Sequence, residues 1–217
     1  MSQTTLLLLV SSSLQTIYMV AAASVLATMF GLPLGIALYI TRRGNILEKP
    51  RLYNFLATLV NITRSIPFVI LMIAIIPFTR LLVGTSIGTN AAIVPLSLCA
   101  IPFIARVTEN ALSEVNKGLI EAATAMGATT LQIIYKVLIP ESLASIINGL
   151  TLTVISLVGY SAMAGAVGGG GLGDVAIRYG YQRFDSVIML ITIVIMIVLV
   201  QFFQFLGDWV VKRISHR

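Results

Sequence analysis

The sequence predicts an all-α integral membrane protein with about five transmembrane helices and one polar helical hairpin. Apolar residues make up 58% of the 217 residues and charged residues only 10%, against about 25% in ordinary soluble domains. Residues 1–41, 142–173 and 186–207 carry no charge, and each run is long enough to cross about 30 Å of hydrocarbon. A soluble enzyme, a disordered chain and a disulfide-rich secreted scaffold are therefore excluded.

The limits of the spans follow from charges and turn-forming residues. Between residues 52 and 105 the charged side chains are Arg64 and Arg80, and one helix over that stretch would be about 80 Å long, too long for a single crossing. Turn-forming residues gather from Gly84 to Asn90 and divide it in two. The predicted spans are about 14–40, 56–78, 90–105, 143–167 and 187–206.

Residues 106–141 differ from the rest of the chain because charged residues are spread along them. These are Arg106, Glu109, Glu114, Lys117, Glu121, Lys136 and Glu141. We interpret this segment as soluble helices whose carboxylates, Glu109 among them, lie on solvated faces. The whole chain, 1–217, is then one transmembrane domain interrupted by one polar segment.

The distribution of Lys and Arg predicts which side of the membrane each segment faces. The segments on the same side as 106–141 hold Arg42, Arg43, Lys49, Arg51, Arg106, Lys117, Lys136, Lys212, Arg213 and Arg217. The opposite side holds Arg80, Arg178 and Arg183. Because basic residues are enriched in cytoplasmic loops, the N-terminus is expected outside and the C-terminus and polar segment in the cytoplasm.

Two short helices joined by a tight turn are predicted within the polar segment. Gly118 is expected to cap the first helix, and Gly127 to end it in the left-handed conformation. Thr129 and Gln132 have the spacing of a capping box at the start of the second helix. Pro140 is expected to stop that helix.

The same segment resembles the signature loop of bacterial ABC-importer permeases. Three residues separate Glu121-Ala122-Ala123 from Gly127, and nine more separate Gly127 from Val137-Leu138-Ile139-Pro140. Val137 and Ile139 depart from the pattern but conserve apolar bulk. The resemblance implies a type I ABC-importer permease with a cytoplasmic coupling helix that docks on a separate ATPase subunit. It assigns to this contact Glu121, Ala122, Ala123, Met126, Gly127, Ala128, Thr129 and Pro140. The alternative is a capped hairpin without a partner.

Further segments resemble the membrane subunits of methionine importers. They lie at 61–68, 102–106, 157–163, 165–173 and 179–181. This resemblance implies a homodimer in the bacterial inner (plasma) membrane, with two copies of an ATP-binding subunit and an external substrate-binding protein or lipoprotein. ATP and Mg would be bound by the ATPase, and no cofactor by this chain. The substrate would be D- or L-methionine; the alternative within this class is another amino acid or a small organic solute.

A translocation pathway is predicted along the fourth span, with a contribution from the one charge inside a predicted span. The candidates are Arg64, Ser156, Gly159, Tyr160, Ser161 and Met163. Met163 is a candidate gate because its flexible side chain repacks easily. The alternatives are ordinary helix packing for the fourth span and a surface-directed guanidinium for Arg64.

No catalytic site, metal site or nucleic-acid surface is predicted. A P-loop needs Gly directly before Lys, but the four lysines follow Glu48, Asn116, Tyr135 and Val211. ATP hydrolysis is therefore expected in another subunit. Gly168-x-Gly170-x-x-Gly173 matches a dinucleotide fingerprint only formally, since it ends a membrane span instead of a strand. The alternatives outside this class are a passive channel and an intramembrane enzyme.

Overall fold

The structure, a computed structural model, describes residues 3–214, and these form helices joined by short connections without any strand. Arg217 of the predicted basic tail and both ends of the predicted 1–217 domain lie outside these residues. The helices are α1 (Gln3–Thr41), α2 (Pro50–Ser65), α3 (Phe68–Ala74), α4 (Ile76–Val83), α5 (Thr89–Ser113), α6 (Lys117–Ala125), α7 (Thr130–Ile133), α8 (Ile139–Ala164), α9 (Gly171–Val175) and α10 (Ser186–Ile214), with π-helical turns at Ile134–Leu138, Gly165–Gly169 and Ala176–Tyr181.

Within residues 3–214, four helical stretches are long and apolar enough to cross a membrane. They are Gln3–Thr41, Thr89–Ser113, Thr130–Gly169 and Ser186–Ile214. The pair α2 and α3 passes the same test together, although it is bent by 100°. The all-α membrane fold is thus confirmed, with a fifth span if the bent pair is counted as one.

The second span differs from the single helix predicted over 56–78. The chain leaves α2 at Ile66, which is extended (ψ 123°), and Pro67 then precedes α3. A proline disfavours the helical conformation of the residue before it, so Ile66 cannot continue α2. A second break at Ile75 separates α3 from α4.

The packing of α1 against α5 forms the centre of the fold. Two glycines of α1 allow the helices to approach closely, because a Cβ atom on Gly31 would lie 2.7 Å from the carbonyl oxygen of Ile101, and one on Gly35 2.5 Å from that of Ala105. Helix α8 completes this core. The buried residues of this core, from α1, α5 and α8, include Met19, Val20, Ala23, Ala27, Leu96, Ile104, Leu157 and Val158.

Pro140 does not stop the second hairpin helix, contrary to the prediction. Helix α7, the π-helical turn Ile134–Leu138 and α8 form one continuous stretch of 40 residues, from Thr130 to Gly169. In the π-helical turn, the backbone N–H of Ile139 donates to the carbonyl of Ile134, five residues earlier. The wider turn directly precedes Pro140, and there the regular i to i−4 hydrogen-bond pattern that a proline would disrupt is already interrupted, so the helix continues into α8.

Candidate functional site

The polar hairpin begins at a side-chain cap on α6. Asn116 has an extended backbone, and its Oδ1 accepts a hydrogen bond from the N–H of Gly118 at 2.8 Å. The predicted cap at Gly118 was therefore wrong. Asparagine supplies the side-chain acceptor that an N-cap requires, whereas glycine has none, and Gly118 instead lies inside the first helical turn.

The turn between α6 and α7 has the predicted geometry. Gly127 has a left-handed φ of +80°, and a Cβ atom there would meet nothing within 4 Å, so its role is conformational and not steric. The N–H of Ala128 donates to the carbonyl of Ala123 at 3.0 Å, which closes the end of α6. The capping box is confirmed, since the N–H of Thr129 donates to Gln132 Oε1 at 2.8 Å and the N–H of Gln132 donates to Thr129 Oγ1 at 3.3 Å.

A hydrophobic cluster fixes the inner side of the hairpin to the bundle. It is formed by Tyr39, Leu112, Val115, Ala123, Ile133, Ile134 and Leu138. Ala123 is 5% exposed within this cluster, and Ala128 packs against it. These two residues of the signature loop therefore face inward, where a larger side chain would displace the helix from α5 and α8.

The outer side of the hairpin carries the other signature residues. Exposed residues are Glu121, Ala122, Met126, Gly127, Thr129 and Pro140. Met126 is an unusual surface residue because 82% of it is exposed. Leu119, Leu131 and Tyr135, which the sequence motif did not include, are also exposed on the hairpin. An apolar surface held on a rigid support is typical of a protein-docking element.

A groove separates α6 from the loop that follows α1. It encloses about 530 Å³ between Gly44, Asn45 and Ile46 on one side and Ile120, Glu121 and Thr124 on the other. The loop is itself anchored, since Asn45 Nδ2 donates to the carbonyl oxygen of Tyr39 at 2.6 Å. The groove thus extends the outer side of the hairpin toward α1.

A buried polar network joins α2 to α5 near the hairpin end of α5. Glu109 is only 2% exposed and forms a salt bridge with Arg106, so the prediction of a solvated carboxylate was wrong. Tyr53 donates to Glu109 Oε1 at 3.2 Å, and Arg106 Nη2 donates to Asn61 Oδ1 at 2.7 Å. Burial of the carboxylate is tolerated because each of its oxygens accepts a hydrogen bond, one from Tyr53 and the other from Arg106.

A second cavity, of about 280 Å³, lies where the α2–α3 break meets α5 and α8. Three of the predicted pathway residues line it: Arg64, Ser156 and Tyr160. The ring of Tyr160 stacks on that of Phe68, with centroids 5.0 Å apart. The guanidinium of Arg64 lies over the ring of Phe103, 5.5 Å from its centroid.

The other predicted pathway residues lie outside this cavity. Gly159 and Met163 are exposed on α8, and 46% of Met163 is accessible. Ser161 is 1% exposed and donates its hydroxyl to the carbonyl of Val158 at 2.7 Å. Ser161 therefore faces the packed core and is not grouped with Met163 on the open face of the helix.

Comparison with known proteins identifies the family. The model of the family described as "binding-protein-dependent transport system inner membrane component" matches residues 31–216. The chain belongs to this family. The permease is 57% identical to the probable D-methionine transport system permease protein MetI of Vibrio cholerae serotype O1, over 97% of this chain and 93% of that protein. It is 52% identical to the protein of the same name from Pasteurella multocida, over 95% of both chains.

Solved structures share the fold of the permease. A chain of the inward-facing MetNI methionine ABC transporter, in its CY5 native crystal form, superposes with a TM-score of 0.97, 50% identity and 99% coverage of both chains. An amino acid ABC transporter with histidines superposes with a TM-score of 0.77 over 95% of this chain. At 18% identity, the second comparison supports the fold alone.

Proposed function

We propose that the permease is the membrane-spanning subunit of an ATP-driven importer that moves D- or L-methionine across the bacterial inner membrane. The observation that carries this proposal is the match to a chain of the MetNI methionine ABC transporter, at 50% identity and with a TM-score of 0.97 over 99% of both chains. The MetI relatives, at 57% and 52% identity, support the same substrate.

The coupling function rests on the hairpin. Glu121, Ala122, Met126, Gly127 and Thr129 form its exposed side and would contact an ATPase subunit that binds ATP and Mg. Ala123 and Ala128 would act indirectly, by seating the hairpin on the hydrophobic cluster. Because α7 continues into α8 without a break, a displacement of the hairpin would reach the membrane span directly.

The complete importer would contain two copies of the permease, two ATPase subunits and an external binding protein or lipoprotein. The N-terminus would lie outside and the hairpin in the cytoplasm, which the excess of Lys and Arg on the hairpin side supports. Met163 is exposed on α8 and would form an apolar gate on the pathway between the two permeases. Arg64, Ser156, Gly159 and Tyr160 would line the same pathway, whereas burial of Ser161 argues for a packing role.

The alternative functions make different demands on the structure. An importer for another amino acid or small solute would have the same hairpin, and only the relatives favour methionine. A passive channel would conduct without nucleotide and would not need an exposed apolar docking hairpin on a buried support.

The decisive experiment is ATP-driven uptake of labelled L- and D-methionine into vesicles. The tagged permease is purified with the subunits that accompany it and reconstituted with the binding protein, and vesicles loaded with ADP serve as the control. We expect uptake only with ATP, and competition by unlabelled methionine. Uptake with ADP would instead indicate a channel, and ATP-driven uptake of another solute without competition by methionine would remove methionine as the substrate.

A further inference from the structure

The cavity at the α2–α3 break lies deep in the bundle, away from both ends of the spans. Phe103 on its wall is about 15 Å from the hairpin end of α5, given a rise of 1.5 Å per residue. Tyr160 lies well inside α8, and Arg64 is an exposed residue in the last turn of α2. Three helices thus bring an aromatic ring, a hydroxyl and a cation together at membrane depth.

Arg64 is the unusual component of this cavity. In the part of the chain that the structure describes, the salt bridges are those of Arg106 with Glu109 and Arg178 with Asp174, and Arg64 has none. Among residues 3–214, none with a carboxylate side chain lines the cavity, and the guanidinium of Arg64 lies against the ring of Phe103. A charged group at membrane depth is costly unless it is paired or hydrated, so the exposed Arg64 is available to an anionic partner from outside the chain.

Besides the phenol of Tyr160, three hydroxyl groups in the described part of the chain line the cavity, and their protons are already used within their own helices. Ser65, Thr153 and Ser156 donate their protons to the carbonyl oxygens four residues earlier in their own helices, at 2.8, 2.8 and 2.9 Å. Their oxygen atoms therefore offer lone pairs to the cavity and few free protons. Such an array accepts hydrogen bonds from an ammonium group and does not compete with Arg64 for a carboxylate.

The remaining wall is apolar. The stacked pair Phe68 and Tyr160, together with Phe103, lines the cavity beside Cys99 and Ala100. Aromatic rings pack favourably against aliphatic and thioether side chains. A volume of about 280 Å³ suits a ligand of the size of one amino acid, because pockets for larger, drug-sized ligands measure about 300–1,000 Å³.

We propose that this cavity binds the zwitterion of an apolar α-amino acid during translocation. Arg64 pairs with the carboxylate, the hydroxyl oxygens of Thr153 and Ser156 accept from the ammonium group, and the aromatic rings cover the side chain. The inference rests on the proposed import of an amino acid and assigns to this chain an intramembrane substrate site. A lipid phosphate offers the same negative charge to Arg64 and is the competing source.

Cys99 provides a native reporter, because it is the one cysteine in the sequence and it lines the cavity. The reconstituted importer, without nucleotide or binding protein, is treated with N-ethylmaleimide in phosphatidylcholine vesicles. Mass spectrometry of the permease peptide gives the rate of alkylation. We expect saturating L-methionine to slow alkylation of Cys99 at least about threefold, and methionine methyl ester, which lacks the carboxylate, to leave the rate unchanged.

Variants identify the groups that bind. Arg64→Gln is expected to raise the half-protecting concentration of methionine by about tenfold or more, since it removes a charge-assisted interaction. Arg64→Lys should retain part of the protection, and Ser156→Ala should weaken it by removing an acceptor for the ammonium group. Arg80→Gln is the matched control, because Arg80 donates a hydrogen bond to Ser86 outside the cavity. In this variant methionine should protect Cys99 from alkylation as well as it does in the wild type. The alkylation rate without methionine reports whether each variant is folded.

The outcomes separate the site from the proposed function. Equal protection by methionine and its ester, or unchanged protection in Arg64→Gln, would overturn the site. Protection by added phosphatidylglycerol but not by methionine would assign the cavity to lipid and overturn it as well. ATP-driven methionine uptake without any protection would overturn the site alone. Uptake of, and protection by, a different amino acid would retain the site and overturn methionine as the substrate.

Discussion

The left-handed turn of the hairpin allows a test in which conformation alone is changed. Gly127 has a φ of +80°, and a Cβ atom at this position would meet nothing within 4 Å, so Gly127→Ala introduces strain without a clash. Holding a residue with a Cβ atom in the left-handed region costs about 1–2 kcal/mol. At about 1.4 kcal/mol per tenfold, the native turn would lose about 5- to 30-fold in population relative to alternative turns.

We expect this loss to appear as uncoupling. In Gly127→Ala, the methionine imported per ATP hydrolysed should fall about fivefold or more, because the hairpin no longer holds the face that meets the ATPase. Gly127→Asn should recover part of the coupling, since asparagine tolerates the left-handed region better than alanine. Vesicle uptake and phosphate release are measured on the same preparation.

Gly84 supplies the matched control. It has a φ of +79° and the same open surroundings, but it ends α4 at the other end of α5 from the hairpin. Gly84→Ala should lower the melting temperature about as much as Gly127→Ala while leaving imported methionine per ATP unchanged. Equal uncoupling by both variants, or full coupling in Gly127→Ala, would refute the assignment of the turn to ATPase docking.

Other positions give further tests. Met126→Glu places a charge on a highly exposed apolar side chain of the hairpin, so co-purification of the ATPase should fall at least about tenfold with an unchanged melting temperature; undiminished co-purification would remove Met126 from the contact. Glu109→Ala leaves Arg106 without its salt bridge and should cost about 3 kcal/mol in thermal unfolding. Glu109→Gln keeps an acceptor for Tyr53 but not the charge and should cost somewhat less; an unchanged stability of Glu109→Gln would contradict a charge-based role. Gly35→Leu forces a Cβ atom to within 2.5 Å of the Ala105 carbonyl, so the yield of folded protein in size-exclusion chromatography should collapse, and normal yield would disprove tight packing there.

Features that depend on neighbouring residues could be predicted from the sequence. The left-handed Gly127 and the capping box of Thr129 with Gln132 are local, and both are confirmed. The bend after Ile66 was missed, although Pro67 is visible in the sequence. A run of apolar residues has the same composition whether the helix is straight or bent. Hydrophobicity therefore located the second span but not the bend within it.

Features that depend on distant residues could not be predicted in this way. The sequence predicted a solvated Glu109 because its hydrogen-bond partner Tyr53 lies 56 positions away on another helix. The cavity around Arg64 is similar, since Phe103 and Tyr160 reach it from two further helices. Sequence patterns selected Arg64 and Tyr160 separately, for charge and for position, but only the packing of the three helices brings them to one cavity.

The π-helical turn at Ile134–Leu138 sets the rotational phase between the hairpin and the membrane span. In an α-helix each residue advances the side-chain direction by about 100°, and a π-turn accommodates one residue more than an α-turn. Deleting a single residue there would convert the turn to α-helix and leave the direction of Ser156 and Tyr160 nearly unchanged. Deleting one residue from the regular helix between this turn and Ser156 would instead turn both side chains about 100° away from their cavity. A change of one residue in chain length is therefore best tolerated at the exposed turn around Tyr135 and Lys136, and least tolerated in the regular helix that follows it.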